Sequence, residues 1–255
     1  MTDYLRLKLE HYAHLSADDR AAITAMANFN LRKFSARRDI VREGDHLSFV
    51  NLILDGWAIR HKMLEDGRRQ ILAFLVPGDL CDLNAFILNE MDHSIGALTS
   101  LTVAQIPREI FEEIGRKRPR LLEALMWDML VQLSIQREWT LNLGQRSAIE
   151  RISHLICELH ARLNAVGLCV DGACHFPITQ TDLSEATGIT PVHVNRTIQE
   201  LRSQGLIEWK GREVHIPDMD ALKRLAMFND NYLHLEREVV RSAPEPEDVV
   251  SNANE

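Results

Sequence analysis

Apolar positions along the chain change period twice. Residues 15–27, LSADDRAAITAMA, follow a helical spacing. Ser16 is placed to cap that helix, with Asp18 and Asp19 in the first turn near the positive end of its dipole. From Ile40 to Pro107 the apolar residues alternate or form runs of strand length: VNLIL, WAIRHKML and RQILAFLV. Gly44, Gly56, Gly67 and Gly78 punctuate this stretch at intervals of 12, 11 and 11 residues, each beside an aspartate. Glycine takes positive φ freely and aspartate bonds its local backbone, so the pairs predict turns. Short strands with regular turns predict an antiparallel sandwich or roll. Strands do not alternate with helices, which argues against a Rossmann-type sheet.

After Pro107 the period becomes helical. REIFEEIGRKRP carries Ile110, Phe111 and Ile114, and Pro119 opens a stretch with no glycine or proline until Gly144. Leu122, Met126, Met129, Leu133, Gln136, Thr140 and Leu143 recur there at steps of four and three, a heptad seam over about three repeats. The seam fits either packing on the chain's own domain or pairing with a second copy. Gln136 and Thr140 would weaken its lower half or help set its register. A further helix follows with Ile149, Ile152, Leu155, Ile156 and Leu159 at helical spacing, ended by Gly167, and VDGACHFP reads as a loop.

Two short helices then meet at a tight turn. Thr179 and Asp182 resemble a capping box for the helix 180–187, which stops at Gly188. Thr190 caps the next helix, Pro191 suits its first position, and Gly205 ends it after about residue 204. This is a helix-turn-helix. Val194, Ile198 and Leu201 share one side of the second helix, and Val192, Arg196, Gln199 and Ser203 lie opposite. Such a face suits the major groove: arginine donates twice to guanine, glutamine pairs with adenine, and an apolar group meets a thymine methyl. Arg196, Arg202, Lys210 and Arg212 are the candidate cations. Lys210 and Gly211 turn the hairpin IEWKGREVHI, a wing for the phosphate backbone. A two-fold pair with one reading helix per chain suits a palindromic operator.

The chain has 255 residues and a formal net charge of −8, unusual for a general nucleic-acid coat but compatible with cations concentrated at one face. Residues 241–255 are acidic, hold two prolines and read as a disordered tail. No apolar run reaches the roughly 20 residues needed to span a bilayer, and the start lacks a secretory pattern, so a soluble cytoplasmic protein without membrane contact is expected. Cys81, Cys157, Cys169 and Cys174 are too scattered for a disulfide framework. All four are expected as reduced thiols, mostly in packing roles, and no metal site is expected.

The segments GDLCDLNAF at 78–86, the long helix 119–143 and FPITQTDLSEATGITPVHVNRTIQELRSQGLIEW together resemble the Crp/Fnr family of bacterial transcription regulators, over about residues 15–218. The resemblance implies an α+β architecture: an N-terminal antiparallel β-roll of the cyclic-nucleotide-binding type (1–117), a long dimerisation helix (118–145), a C-terminal winged helix-turn-helix (146–240) and the tail. It places DNA contacts at Thr179, Thr190, Val192, His193, Arg196, Gln199, Arg202, Lys210 and Arg212. It places the effector pocket at Asp82, Leu83, Asn84, His93 and Ser94. Cyclic-AMP-binding members carry an arginine there for the phosphate. None stands in these two stretches, and a buried anion without a cation is costly. No cysteine precedes Cys81, so the N-terminal iron–sulfur cluster is absent. Leu83 stands where haem-binding members have a histidine two residues after the cysteine, and His46, His61 and His93 read as satisfied or exposed rather than as ligands. No cofactor is therefore identified. Val192 stands where many members carry a glutamate that bonds cytosine, so the base preference at that position should differ. Arg196 matches the family's retained arginine.

The leading expectation is a homodimeric DNA-binding regulator that responds to an unidentified signal in the roll, with RNA polymerase as a further partner. The alternative is a small-molecule sensor whose helical domain docks on protein, for which the exposed Val192 speaks. Nothing resembles a nucleophile elbow, P-loop or dinucleotide fingerprint, so no enzyme is expected. Asp79 reads as a turn residue and Cys81 as packing, with no basic neighbour in sequence to activate its thiol.

Overall fold

A computed structural model of the chain describes residues 3–81, 83–88 and 90–235. Helices α1 (Tyr4–Leu9) and α2 (Ala17–Ala27) precede eight strands: β1 (Leu31–Phe34), β2 (Asp39–Val41), β3 (Phe49–Asp55), β4 (Ala58–Met63), β5 (Arg69–Leu75), β6 (Leu80–Cys81), β7 (Ser94–Ala97) and β8 (Leu101–Pro107). Ser16 and Asp19 cap α2 reciprocally, each side chain accepting from the other's backbone N–H at 3.1 and 3.0 Å. The six residues of α1 are too few to declare a helical period, and this helix escaped the sequence reading.

The strands form two antiparallel sheets, ordered β1-β8-β3-β6 and β2-β7-β4-β5, as expected for a roll. Val41, Ile53, Leu75, Ile95 and Val103 pack between them. The outer face of the first sheet is also covered: Val50 and Leu52 pack with Leu5 of α1 and Ile23 of α2. Burial on both faces explains why β3 is apolar on both sides instead of alternating, with buried Asn51 as its one polar interior position. Gly44, Gly56, Gly67 and Gly78 have φ of +88°, +83°, +85° and +94°, the predicted turns. At Gly56 an added Cβ would also lie 2.1 Å from the Ser100 carbonyl oxygen, so conformation and space both demand glycine.

Helix α3 (Arg108–Lys117) leads to α4 (Pro119–Gln145), which carries two apolar faces. Leu121, Ala124, Leu125, Val131, Ile135 and Trp139 are buried against the chain itself. Leu122, Met126, Leu130 and Leu133 are exposed by 36, 55, 59 and 53%. One residue of the predicted seam turns inward: Gln136 is half-buried and donates to the Leu72 carbonyl at 2.9 Å. Leu143 stays 38% exposed, with its side chain near Gly188. A straight 3.6-residue helix drifts off a strict seven-residue repeat, which carries Gln136 away from the exposed stripe.

The remainder comprises α5 (Ala148–Ala165), β9 (Cys169–Val170), β10 (Ala173–His175), α6 (Gln180–Thr187), α7 (Pro191–Ser203), β11 (Glu208–Lys210), β12 (Glu213–His215) and α8 (Met219–Ala226), then a 3₁₀ turn at Asp230–Leu233. The small sheet runs β11-β12-β10-β9. Two expectations are corrected here. The segment read as a loop holds the β9–β10 hairpin, and Cys169 and Cys174 are not free thiols but a disulfide across it. Antiparallel register sets them directly opposite, with Cα atoms 4.4 Å apart. Cys81 and Cys157 lie outside this disulfide and are buried in apolar clusters, in the packing roles expected. The acidic stretch 241–255 lies outside the described residues. Among those described, no helix is long and apolar enough to cross a membrane.

Candidate nucleic-acid interface

Local hydrogen bonds set the two helices of the motif. The Thr179 hydroxyl accepts from the Asp182 amide at 3.2 Å, and the Asp182 carboxylate accepts from the Thr179 amide at 2.9 Å. Gly188, at φ +67°, ends α6, and the Ser184 hydroxyl closes the turn by donating to the Ile189 carbonyl at 2.6 Å. Thr190 then caps α7 by accepting from the His193 amide at 3.3 Å, with Pro191 in the first turn. Val194, Ile198 and Leu201 are buried as expected, and Thr197 joins them. On the opposite side Val192 is 81% exposed, and Arg196, Gln199 and Ser203 are exposed with it. His193 is half-buried.

The wing follows at once. β11 pairs with β12, and Gly211, at φ +61°, turns the hairpin between exposed Lys210 and Arg212. Lys210 lies 3.6 Å from Glu208, an exposed pair that holds its ammonium weakly and leaves it available to a phosphate. Arg202, also exposed, makes a contact within the chain. Its guanidinium donates to the Trp209 carbonyl and so ties the wing to α7, a bond no sequence pattern announced.

The motif is docked on the roll by ion pairs. Arg37, between β1 and β2, donates to both Asp182 carboxylate oxygens at 2.5 and 2.9 Å. Arg69 of β5 donates to Glu185 at 2.6 and 2.8 Å. Burial pushes the Asp182 carboxyl up, but the bonds from Arg37 and Thr179 outweigh it and hold the group below the usual carboxylate range. From α5, Arg162 donates to Asp79 of the roll at 2.8 Å and to the Phe74 carbonyl at 3.0 Å. An open cleft of about 710 Å³ remains between roll and motif, lined by Arg37, Thr99, Gln199, Arg202 and Arg212 among others.

The expected effector residues are brought together in part. Asp82 and the side chain of Asn84 lie outside the described residues. Leu83 packs against the helical cover of the first sheet. Ser94 accepts from the Glu43 amide at 3.0 Å. His93 is buried; its Nε2 accepts from Arg60 at 3.1 Å, so its proton sits on Nδ1, which donates to Asp92 at 2.5 Å. No arginine stands in the two stretches themselves, but Arg60 of β4 reaches His93 from 33 residues away in sequence. His61 is buried, and its Nε2 is partnered by Asp39 at 2.9 Å, while its Nδ1 has no hydrogen-bond partner among the described residues. His160, Cys169 and Cys174 place their side-chain nitrogen and sulfur atoms within 4.8 Å of one another, with the two sulfurs joined in the disulfide.

Comparison with known proteins follows the same division of the chain. Residues 31–118 match the cyclic nucleotide-binding domain family, and residues 150–225 match the Crp-like helix-turn-helix domain family. The transcriptional activator protein FnrL of Cereibacter sphaeroides is 30% identical over 203 residues, 78% of this chain and 81% of that protein. The nitrogen fixation regulation protein FixK of Bradyrhizobium diazoefficiens is 30% identical over 174 residues, 68% of this chain and 72% of its own. The solved structure of FixK2 from Bradyrhizobium japonicum superposes with a TM-score of 0.70 at 24% identity, over 77% of this chain and 96% of that one, which speaks to the fold. The chain belongs to the Crp/Fnr family of DNA-binding transcription regulators and is not an enzyme.

Proposed function

We propose that two copies of the chain pair along the exposed stripe of α4 and read a palindromic operator in the cytoplasm, one α7 in each of two successive major grooves. Arg196 would donate to guanine, Gln199 would contact adenine, and Val192 would meet a thymine methyl. His193, Thr179 and Thr190 would lie near the sugar–phosphate backbone, and Lys210 and Arg212 of the wing would hold the adjoining phosphates. The observation that carries this reading is the division of α7, where Val194, Ile198 and Leu201 are buried while Val192, Arg196 and Gln199 stand exposed beside the wing. The roll would take the signal, at or near His93 and Ser94, and pass it through the ion pairs that dock α6. RNA polymerase would be the further partner.

Selection from random duplexes with the full chain tests this directly. The expected product is a palindrome whose half-sites lie about 10 base pairs apart, centre to centre. Failure to enrich any site, with the chain folded, would favour the protein-docking alternative.

A further inference from the structure

Cys169 and Cys174 take no part in the DNA-reading face. They oppose each other on β9 and β10, and the α5 residue His160 completes a group of three donors within 4.8 Å. Cys169 and His160 are half-buried, and Cys174 is buried. Cys169 Sγ lies 3.8 Å from the His160 carbonyl oxygen, so helix and hairpin are already in contact at this point. Two sulfurs and one imidazole suit a soft or borderline cation. Zinc–sulfur and zinc–nitrogen bonds of about 2.3 and 2.0 Å need donors roughly 3.3–3.8 Å apart, within reach of small side-chain rotations here.

We propose that, once the disulfide is reduced, His160, Cys169 and Cys174 hold one thiophilic divalent cation such as Zn²⁺, with water in the fourth position. Reduction takes two electrons and two protons from a dithiol, which is itself oxidised to a disulfide. Each protein thiol then gives up its proton as its sulfur–metal bond forms, so one cation releases two protons. Oxidised protein lacks the two thiolates and holds no metal there. The site clamps the small sheet to α5. Within that sheet β10 pairs with β12, and the Phe176 amide donates to the Arg212 carbonyl at 2.6 Å, so the clamp adjoins the wing.

The test is a Zn²⁺ titration of the full chain, reduced with dithiothreitol and desalted under nitrogen, against a chromophoric chelator. Co²⁺ serves as a second probe, read by its thiolate-to-metal charge-transfer absorption. The expected result is one Zn²⁺ per reduced chain with two protons released, none in the oxidised chain, and undiminished binding in Cys157→Ala. Cys169→Ser and His160→Ala should each weaken binding tenfold or more, about what a lost metal-site partner costs. His160→Ala keeps the test open if the serine variant misfolds. A folded, reduced chain that takes up no Zn²⁺, or variants that bind it as tightly as the parent, would overturn the proposal.

Discussion

Arg37 gives both terminal nitrogens of its guanidinium to Asp182, at 2.5 and 2.9 Å, and thereby joins the roll to the residue that caps α6. Asp182 is buried, whereas the Arg37 side chain is 45% exposed. The arginine holds φ +62°, an uncommon conformation for a side chain other than glycine, in the turn between β1 and β2. One carboxylate thus serves the helix-turn-helix locally and the domain contact at long range. Because the folded carboxyl is held low, its contribution is complete above the unfolded value of about 3.9 and fades as pH falls through the folded value. Arg37→Ala should cost about 1–2 kcal/mol at neutral pH, reduced from a fully buried pair by the solvent around Arg37. Denaturant unfolding should show this loss shrinking as pH drops below about 4. A loss that is the same at pH 7 and pH 3.5 would remove Asp182 from the explanation.

The second docking contact centres on Asp79. Its carboxylate accepts from Lys8 of α1 and Arg162 of α5, each at 2.8 Å, and from the Val76 amide at 2.8 Å. Burial pushes this carboxyl up, yet Lys8 and Arg162 prevail and hold it low. Arg162→Met leaves Asp79 and Glu158 in the interior with one cation fewer, and about 3–5 kcal/mol of stability should go. Asp79→Asn alone should also destabilise. The double variant should lose less than the sum, and a double-mutant cycle by urea unfolding measures the difference. Strict additivity would mean that the two residues do not interact.

These contacts mark the limit of what the sequence made legible. The period of the apolar residues, the glycine–aspartate turns and the caps at Ser16, Thr179 and Thr190 are local, and each appears where the pattern placed it. Asp79 was legible as a turn residue because Val76 is three positions away, but its ion partners stand 71 and 83 positions distant. Arg60 beside His93, Gln136 against Leu72 and Arg202 on Trp209 were hidden for the same reason: only the folded chain brings them together. The β9–β10 hairpin was missed because its strands are two and three residues long, too short for an alternation to register.

His154 offers a different pH signature. It is buried between Phe228, edge-on at 5.0 Å, and Tyr232, stacked at 6.0 Å. Glu138 approaches Nε2 to 3.2 Å, but neither ring nitrogen makes a hydrogen bond, and Glu138 is already paired with Arg146 at 2.6 Å. Burial, helped by Arg146, pushes the imidazole down to about 3. A histidine kept neutral in the fold binds its proton only on unfolding. Its stabilising effect is therefore complete above the unfolded value near 6.5 and fades below it, by up to about 1.4 kcal/mol per pH unit. His154→Phe should flatten the stability profile between pH 6.5 and 4.5. An unchanged profile would locate the acid sensitivity elsewhere.

On DNA, residues of the reading helix and of the wing should separate by kind. Arg196→Ala should cost about 1–3 kcal/mol on a selected site and relax discrimination at one base pair. Lys210→Ala and Arg212→Ala should weaken all sequences alike, each lowering the slope of log K against log salt by about 0.9. Binding isotherms on the selected and scrambled duplexes at several salt concentrations distinguish the two. An Arg196→Ala variant that loses equally on both duplexes would assign that arginine to phosphate.

The proposed pairing of two chains makes the two faces of α4 separable. Met126 and Leu133 are exposed by 55 and 53%, so carboxylates there keep much of their hydration in the monomer. Across a two-fold seam the same carboxylates would be desolvated and set near their copies, a penalty of several kcal/mol. Met126→Asp/Leu133→Asp should therefore sediment as a folded monomer at micromolar concentration and lose cooperative binding to a palindrome, while retaining weak binding to a half-site. Gln136→Ala removes only the bond to the Leu72 carbonyl. It should cost about 1 kcal/mol of stability and leave the association intact. If the double aspartate variant remains dimeric, the exposed stripe on α4 is not the seam, and the reading helices must be paired by another surface.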